Sequence, residues 1–137
     1  MIVVPYIHKD PLKLDRVLVC WDGSREVARA LGDAMPLLRR AGAVDVVVVT
    51  TESVKSDEVP GADVAENLAR HGVRIDLQRI SAPGSDVANA ILNQAADTAA
   101  DLIVMGAYGH SRLREFVLGG TTRAMLTAMT TPVLMSH

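Results

Sequence analysis

Three runs in this 137-residue chain are apolar at every position: Val17-Leu18-Val19-Cys20, Val46-Val47-Val48-Val49 and Leu102-Ile103-Val104-Met105. A strand with one wet face alternates apolar and polar side chains, so an unbroken run marks a strand covered on both faces. Segments of helical periodicity lie between these runs and supply the cover. The first extends from about Ser24, an N-cap residue, to Gly42, a stop signal. Val27, Ala30, Leu31, Ala34, Met35 and Leu38 recur along one of its faces. Pro36 interrupts that pattern and is expected to kink the helix or loosen its second half. A weaker helix spans roughly Gly61 to His71, with Val64 and Leu68 inward and Gly72 as its stop. A third starts near Ser85 and carries Val87, Ala88, Ile91, Ala95 and Ala99. A fourth begins at Thr121 or Thr122 and ends before Pro132. Aromatic residues make up only 3% of the chain against 49% hydrophobic overall, so the core is built from Val, Leu, Ile, Ala and Met.

Two further strands are of a different kind. Val73-Arg74-Ile75-Asp76-Leu77-Gln78 alternates and so meets water on one side, and Val133-Leu134-Met135 is short. Both suit the edges of a sheet. A strand–helix alternation of this length forces parallel neighbours joined by right-handed crossovers. With the third strand at one edge and the fifth at the other, the strand order is 3-2-1-4-5. The fold class is therefore α/β and Rossmann-like: an open, doubly wound, five-stranded parallel sheet with helices on both faces. One domain is expected over residues 15–137, preceded by a strand-like arm and tether over residues 1–14.

In such a sheet ligands bind where the strand order reverses, beyond the carboxyl ends of the first and fourth strands. Those ends are Trp21-Asp22-Gly23-Ser24 and the run from Met105 to Thr122, which holds Gly106, Gly109, Gly119 and Gly120 and ends on Thr121 and Thr122. A strand, a Gly-rich loop and a helix N-terminus together favour phosphate. Glycine lets backbone N–H groups approach an anion, and the amides of a first helical turn point at it. His110 and Arg112 either donate to phosphate or are solvated loop charges. Asp22 followed by Gly23 reads as a ligand group or as a turn ahead of the Ser24 cap.

With these residues in view, the chain from Leu14 onward resembles a universal stress protein domain, an adenine-nucleotide-alpha-hydrolase-like fold. Nucleotide-binding members of that family show a glycine, two residues, a second glycine, nine residues, and a third glycine followed by Ser or Thr. Gly106, Gly109 and Gly119 keep both spacings, Met105 precedes the first glycine, and Asp22 stands where the family has an acidic residue near the adenosine. The resemblance implies that ATP, with or without Mg, is the ligand. By analogy Gly106 and Gly109 shape the turn around ribose and phosphates, and Gly119, Gly120, Thr121 and Thr122 present amides to the phosphates. The strand end near Val49 touches adenine. Two positions depart from the pattern. Gly120 stands where the ATP-binding sequence has a hydroxyl, which Thr121 or Thr122 replaces only after a small shift. Trp21 either stacks on the base or fills its space. The resemblance thus implies a stress-response domain that acts by binding an adenine nucleotide and by dimerisation. The other reading is a nucleotide-free interaction module of the same fold.

Fast catalysis has little support. Ser24, Ser81, Ser85 and Ser111 lack a nucleophile elbow or paired base, and there is no His pair, Cys-x-x-Cys or Gly-Lys-Ser/Thr phosphate loop. At most, slow ATP hydrolysis is expected. His71, before a capping glycine, reads as a partner of a helix dipole, and Cys20, Met125 and Met129 as core. A net charge of −2 argues against nucleic acid as a partner. No apolar run approaches the roughly 18 residues of a membrane span, and a single cysteine forms no internal disulfide, so a cytoplasmic domain is expected. The short fifth strand invites a partner at its open edge. Met1-Ile2-Val3-Val4-Pro5 resembles the final strand Thr131-Pro132-Val133-Leu134-Met135, as in a tandem protein or a short one with a strand-like arm, and Ile2-Val3-Val4 has the composition to pair at that edge, in a homodimer or with a sister domain.

Overall fold

In the computed structural model, the described residues are 2–4, 13–21, 25–50, 62–81, 87–106 and 124–136. The chain runs through β1 (Ile2–Val3), β2 (Arg16–Trp21), α1 (Arg25–Arg40), β3 (Ala43–Thr50), α2 (Ala62–Arg70), β4 (Ile75–Ser81), α3 (Val87–Asp97), β5 (Leu102–Gly106) and β6 (Val133–Ser136). Residues 124–128 form a further helical segment ahead of β6. The sheet order is β1-β6-β5-β2-β3-β4. From β4 to β6 every pairing is parallel, which is the expected doubly wound arrangement.

The expected five-stranded, wholly parallel sheet needs one correction. A sixth strand, β1, lies antiparallel on β6 of its own chain, with Ile2 opposite Leu134 and Val3 opposite Val133. The reason is the one that made β6 a poor edge. It is short and apolar, and its outer row of N–H and C=O groups needs a partner. Ile2 and Val4 remain 45% and 56% exposed on the new edge.

Alternate side chains of the central strands feed two separate cores. Val17, Val19, Val44, Val46, Leu102 and Val104 meet α1 and α2 through Ala30, Leu31, Ala34, Leu38, Val64 and Leu68. On the other face Leu18, Val47, Ile103, Met105, Val133 and Met135 meet Val87, Ala88, Ile91 and Ala95 of α3, together with Met125. Cys20 packs beside this second core.

Two helix ends close on a residue in left-handed backbone, the first on Gly72 as expected. After α2, Gly72 adopts φ 78°, with the Val73 N–H donating to the Leu68 carbonyl at 3.0 Å and the Gly72 N–H to Ala69 at 3.0 Å. This is a Schellman motif, and it takes Val73 out of the strand expected to begin there. After α3 the same motif recurs with Ala99 at φ 54°: Ala100 donates to Ala95 at 2.9 Å and Ala99 to Ala96 at 3.2 Å. Ala99 is thus a capping residue in left-handed backbone, not part of α3. Helix α1 continues unbroken through Pro36, whose ring is on the exposed side.

Candidate functional site

The strand order reverses between β2 and β5. Their shared register runs from Val17–Leu102 to Val19–Val104. Past that point each strand pairs outward, Cys20 and Trp21 with Val47 and Val48 of β3, and Met105 and Gly106 with Met135 and Ser136 of β6. The two strands part at their carboxyl ends, and the parting is the crevice. Residues 22–24 and 107–123, the segments expected to line it, leave from those two ends.

Helix α1 forms one wall. A Cβ on Gly106 would stand 2.7 Å from the Val27 backbone nitrogen, 2.8 Å from Glu26 Cβ and 3.0 Å from the Glu26 carbonyl carbon. Glycine is required here by a close approach of helix backbone to strand end, as where a helix packs tightly on its strand in dinucleotide-binding folds. The approach buries Glu26, which is only 1% exposed although it carries a carboxylate. By residue type alone Glu26 does not stand out, since an acidic residue in a first helical turn reads as a partner of the dipole. The signal was its spacing: Glu26, Ala30, Ala34 and Leu38 recur every four residues along the inward face. Two turns on from Glu26, at the middle of α1, Ser136 donates its hydroxyl hydrogen to Asp33 Oδ2.

The profile of the universal stress protein family matches residues 13–137, nearly the whole chain. The chain belongs to that family. A universal stress protein of Synechocystis, Slr1230, is 29% identical over 123 residues, covering 88% of this chain and 42% of the relative. YxiE, a universal stress protein of Bacillus subtilis, is 30% identical, covering 88% of this chain and 97% of the relative. A universal stress protein from Archaeoglobus fulgidus has a similar structure, with a TM-score of 0.68 and 24% identity over 90% of this chain and 44% of that one. The chain therefore spans less than half of the Synechocystis and Archaeoglobus proteins and nearly all of the Bacillus one. A further universal stress protein with this fold, solved in complex with cAMP, has a TM-score of 0.63 and 19% identity, covering 90% of this chain and 96% of that one.

Within this universal stress domain, Trp21 is half-buried at the end of β2 and packs against the core under α1 and α2. Met105 is 5% exposed and belongs to the core on the α3 face. Gly106 ends β5. Val49 pairs in register with Ile80, and its side chain lies outside the described residues. Asp22, Gly109, His110, Arg112, Gly119, Gly120, Thr121 and Thr122 also lie outside them. His71 Nδ1 lies 2.8 Å from the Asn67 carbonyl, at the carboxyl end of α2. Among the described residues no three His, Cys, Asp or Glu side chains cluster as metal ligands, and no helix is long and apolar enough to cross a membrane.

The opposite, amino end of the sheet is a different environment. Arg16 donates from Nε to Asp45 Oδ2 at 2.6 Å and from the guanidinium Nη2 to Oδ1 at 3.1 Å, a bidentate pair with Asp45 fully buried. The hydrogen bond to Asp45 raises the Arg16 pKa above its ordinary value, with the Asp45 charge adding to the effect. Asp101 Oδ2 accepts from the Asp15 and Arg16 backbone amides at 3.1 and 3.0 Å, and its own N–H donates to the Arg16 carbonyl at 2.8 Å. Arg16 and Asp45 thus tie β2 to β3, and Asp101 ties the start of β2 to that of β5.

Proposed function

We propose that this domain binds an adenine nucleotide, ATP with or without Mg, beyond the carboxyl ends of β2 and β5, and acts through binding and association. The observation that carries the reading is a coincidence of place. The glycines that keep the family spacing, Gly106, Gly109 and Gly119, start at the strand end where β5 parts from β2. Membership of the family supports it, as does the related fold solved with cAMP. In this reading Trp21, seated on the core, offers its ring to the base. Asp22 accepts from the ribose, and the strand end near Val49 flanks adenine. Met105 and Gly106 set the loop's origin. Gly109, Gly119, Gly120, Thr121 and Thr122 bring amides and hydroxyls to the phosphates, with His110 and Arg112 adding charge. The metal ion's part is to neutralise phosphate charge. No paired acid and base is evident in the sequence, so the domain holds its ligand with at most slow turnover, and it works in the cytoplasm.

Calorimetric titration with Mg-ATP tests the reading. Saturable heat is expected, and no heat with no thermal shift at millimolar nucleotide would refute it. Gly109→Val should abolish binding, because a β-branched residue resists positive φ and blocks close approach of phosphate. Association is proposed through the β1–β6 edge, to a second copy or to a sister domain. Light scattering of the full chain and of a variant lacking residues 1–10 tests it, and a full chain that stays monomeric at high micromolar concentration refutes the homodimer.

A further inference from the structure

Gly106 and Ser136 face each other in register across β5 and β6, as the last described rung of that pair. Helix α1 meets both members. Over Gly106 its backbone comes so close that a Cβ would stand 2.7 Å from Val27 N and 3.0 Å from the Glu26 carbonyl carbon. Over Ser136, itself 8% exposed, Asp33 accepts the hydroxyl hydrogen. Glu26 and Asp33 are seven residues apart, two turns along one helix face and about 10 Å along the axis. Two contacts that far apart along the helix, both made to one rung, restrain how α1 lies on the sheet. The rung also marks where the candidate ligand segments begin. Residues 107–123 continue directly from Gly106, and residues 22–24 lead directly into α1.

We propose that the Gly106–Ser136 rung is the seat of α1, and that Gly106, Ser136 and Asp33 are positioning residues for the crevice. They act on a bound nucleotide through where α1 stands and without touching it. The inference rests on the nucleotide reading above and gives Gly106 a role apart from shaping the turn around a ligand. A Cβ at that position pushes the first turn of α1 off the sheet.

The test uses the full chain with Gly106→Ala, Ser136→Ala, Asp33→Ala and Asp33→Asn. Hydrogen exchange over residues 25–33 is read without nucleotide, and Mg-ATP affinity is read by calorimetry. Gly106→Ala should lower protection across the first two turns of α1 and weaken Mg-ATP by about tenfold, the equivalent of about one hydrogen bond to the ligand. Ser136→Ala and Asp33→Ala, milder changes that leave the backbone untouched, should move both readouts in the same direction by less. Asp33→Asn keeps an acceptor for Ser136 and should restore both. Unchanged protection over residues 25–33 in Gly106→Ala would overturn the seat. Lowered protection with unchanged Mg-ATP affinity in Gly106→Ala and Ser136→Ala would overturn the positioning role. Absence of Mg-ATP heat from the unaltered protein defeats the nucleotide reading instead, and exchange over residues 25–33 then still decides for or against the seat.

Discussion

Ala99→Gly should stabilise this domain, and the expected size follows from the cap after α3. Ala99 holds φ 54°, where its Cβ crowds the neighbouring carbonyl, at a cost of roughly 1–2 kcal/mol for an L-residue. Glycine removes that strain but adds freedom to the unfolded chain, worth roughly 0.5–1 kcal/mol. Ala99 is exposed, so no buried contact is lost. The net gain is about 0.5–1 kcal/mol. Unfolding entropy near 60 °C is about 2.1 cal/mol/K per residue, so over 137 residues the gain raises Tm by roughly 2–3 °C. Gly72 supplies the matching control. It has the same cap geometry at φ 78°, and a Cβ there would meet nothing within 4 Å. Gly72→Ala should therefore destabilise by a similar amount through backbone strain alone. Thermal and urea unfolding followed by circular dichroism reads both variants. An Ala99→Gly protein no more stable than the original, beside a destabilised Gly72→Ala, would refute the argument, because the same strain would then count at one cap and not at the other.

Arg16→Ala should destabilise more than Asp45→Asn, since the first leaves a fully buried carboxylate without its guanidinium while the second keeps a neutral acceptor; urea midpoints rank the two. The raised Arg16 pKa means the stability tied to its charge is fully present below the ordinary arginine value and is lost only as pH rises through the higher folded one. Variation of Tm between pH 6 and 9 that is abolished by Arg16→Lys would contradict this. Pro36→Ala should stabilise by about 1–3 kcal/mol, because an exposed proline inside α1 removes a helical donor and crowds the Gly32 carbonyl. Equal or lower stability in chemical denaturation would show that α1 has already relaxed around the ring.

Much of the fold was legible because β2, β3 and β5 are buried on both faces, and unbroken apolar runs leave no other reading. Strand order followed from edge character, since alternation in Ile75–Ser81 and shortness in Val133–Ser136 mark the two ends of the parallel set. What stayed hidden depends on pairing and backbone dihedrals more than on composition. Nothing in Ile2-Val3 says that it folds back on its own β6. Ala99 carries no glycine to announce a left-handed cap, and Val73 looked like the start of a strand because apolar residues also follow Schellman glycines. Pro36 looked disruptive because sequence does not show that tertiary packing carries the helix across it. The glycine spacing and Asp22 are visible in the sequence as a pattern, whereas the burial of Glu26 is signalled only by its four-residue spacing with Ala30, Ala34 and Leu38. The approach of α1 to Gly106 has no local signature, for it joins residues eighty positions apart.

The parting of β2 from β5 has a mechanical consequence. The two halves of the sheet share three register pairs, all toward the amino end, where Asp101 also bonds the backbone ahead of β2. Their backbone hydrogen bonds bind them like two leaves of a book along one short edge, while the two cores clamp them over the faces. Widening at the open end is then a rotation about the bound end, so a small change in angle there becomes a larger displacement at Trp21 and Gly106. A substitution at Asp101, about as far from the crevice as the strands allow, would loosen the binding of the leaves and let the opening vary.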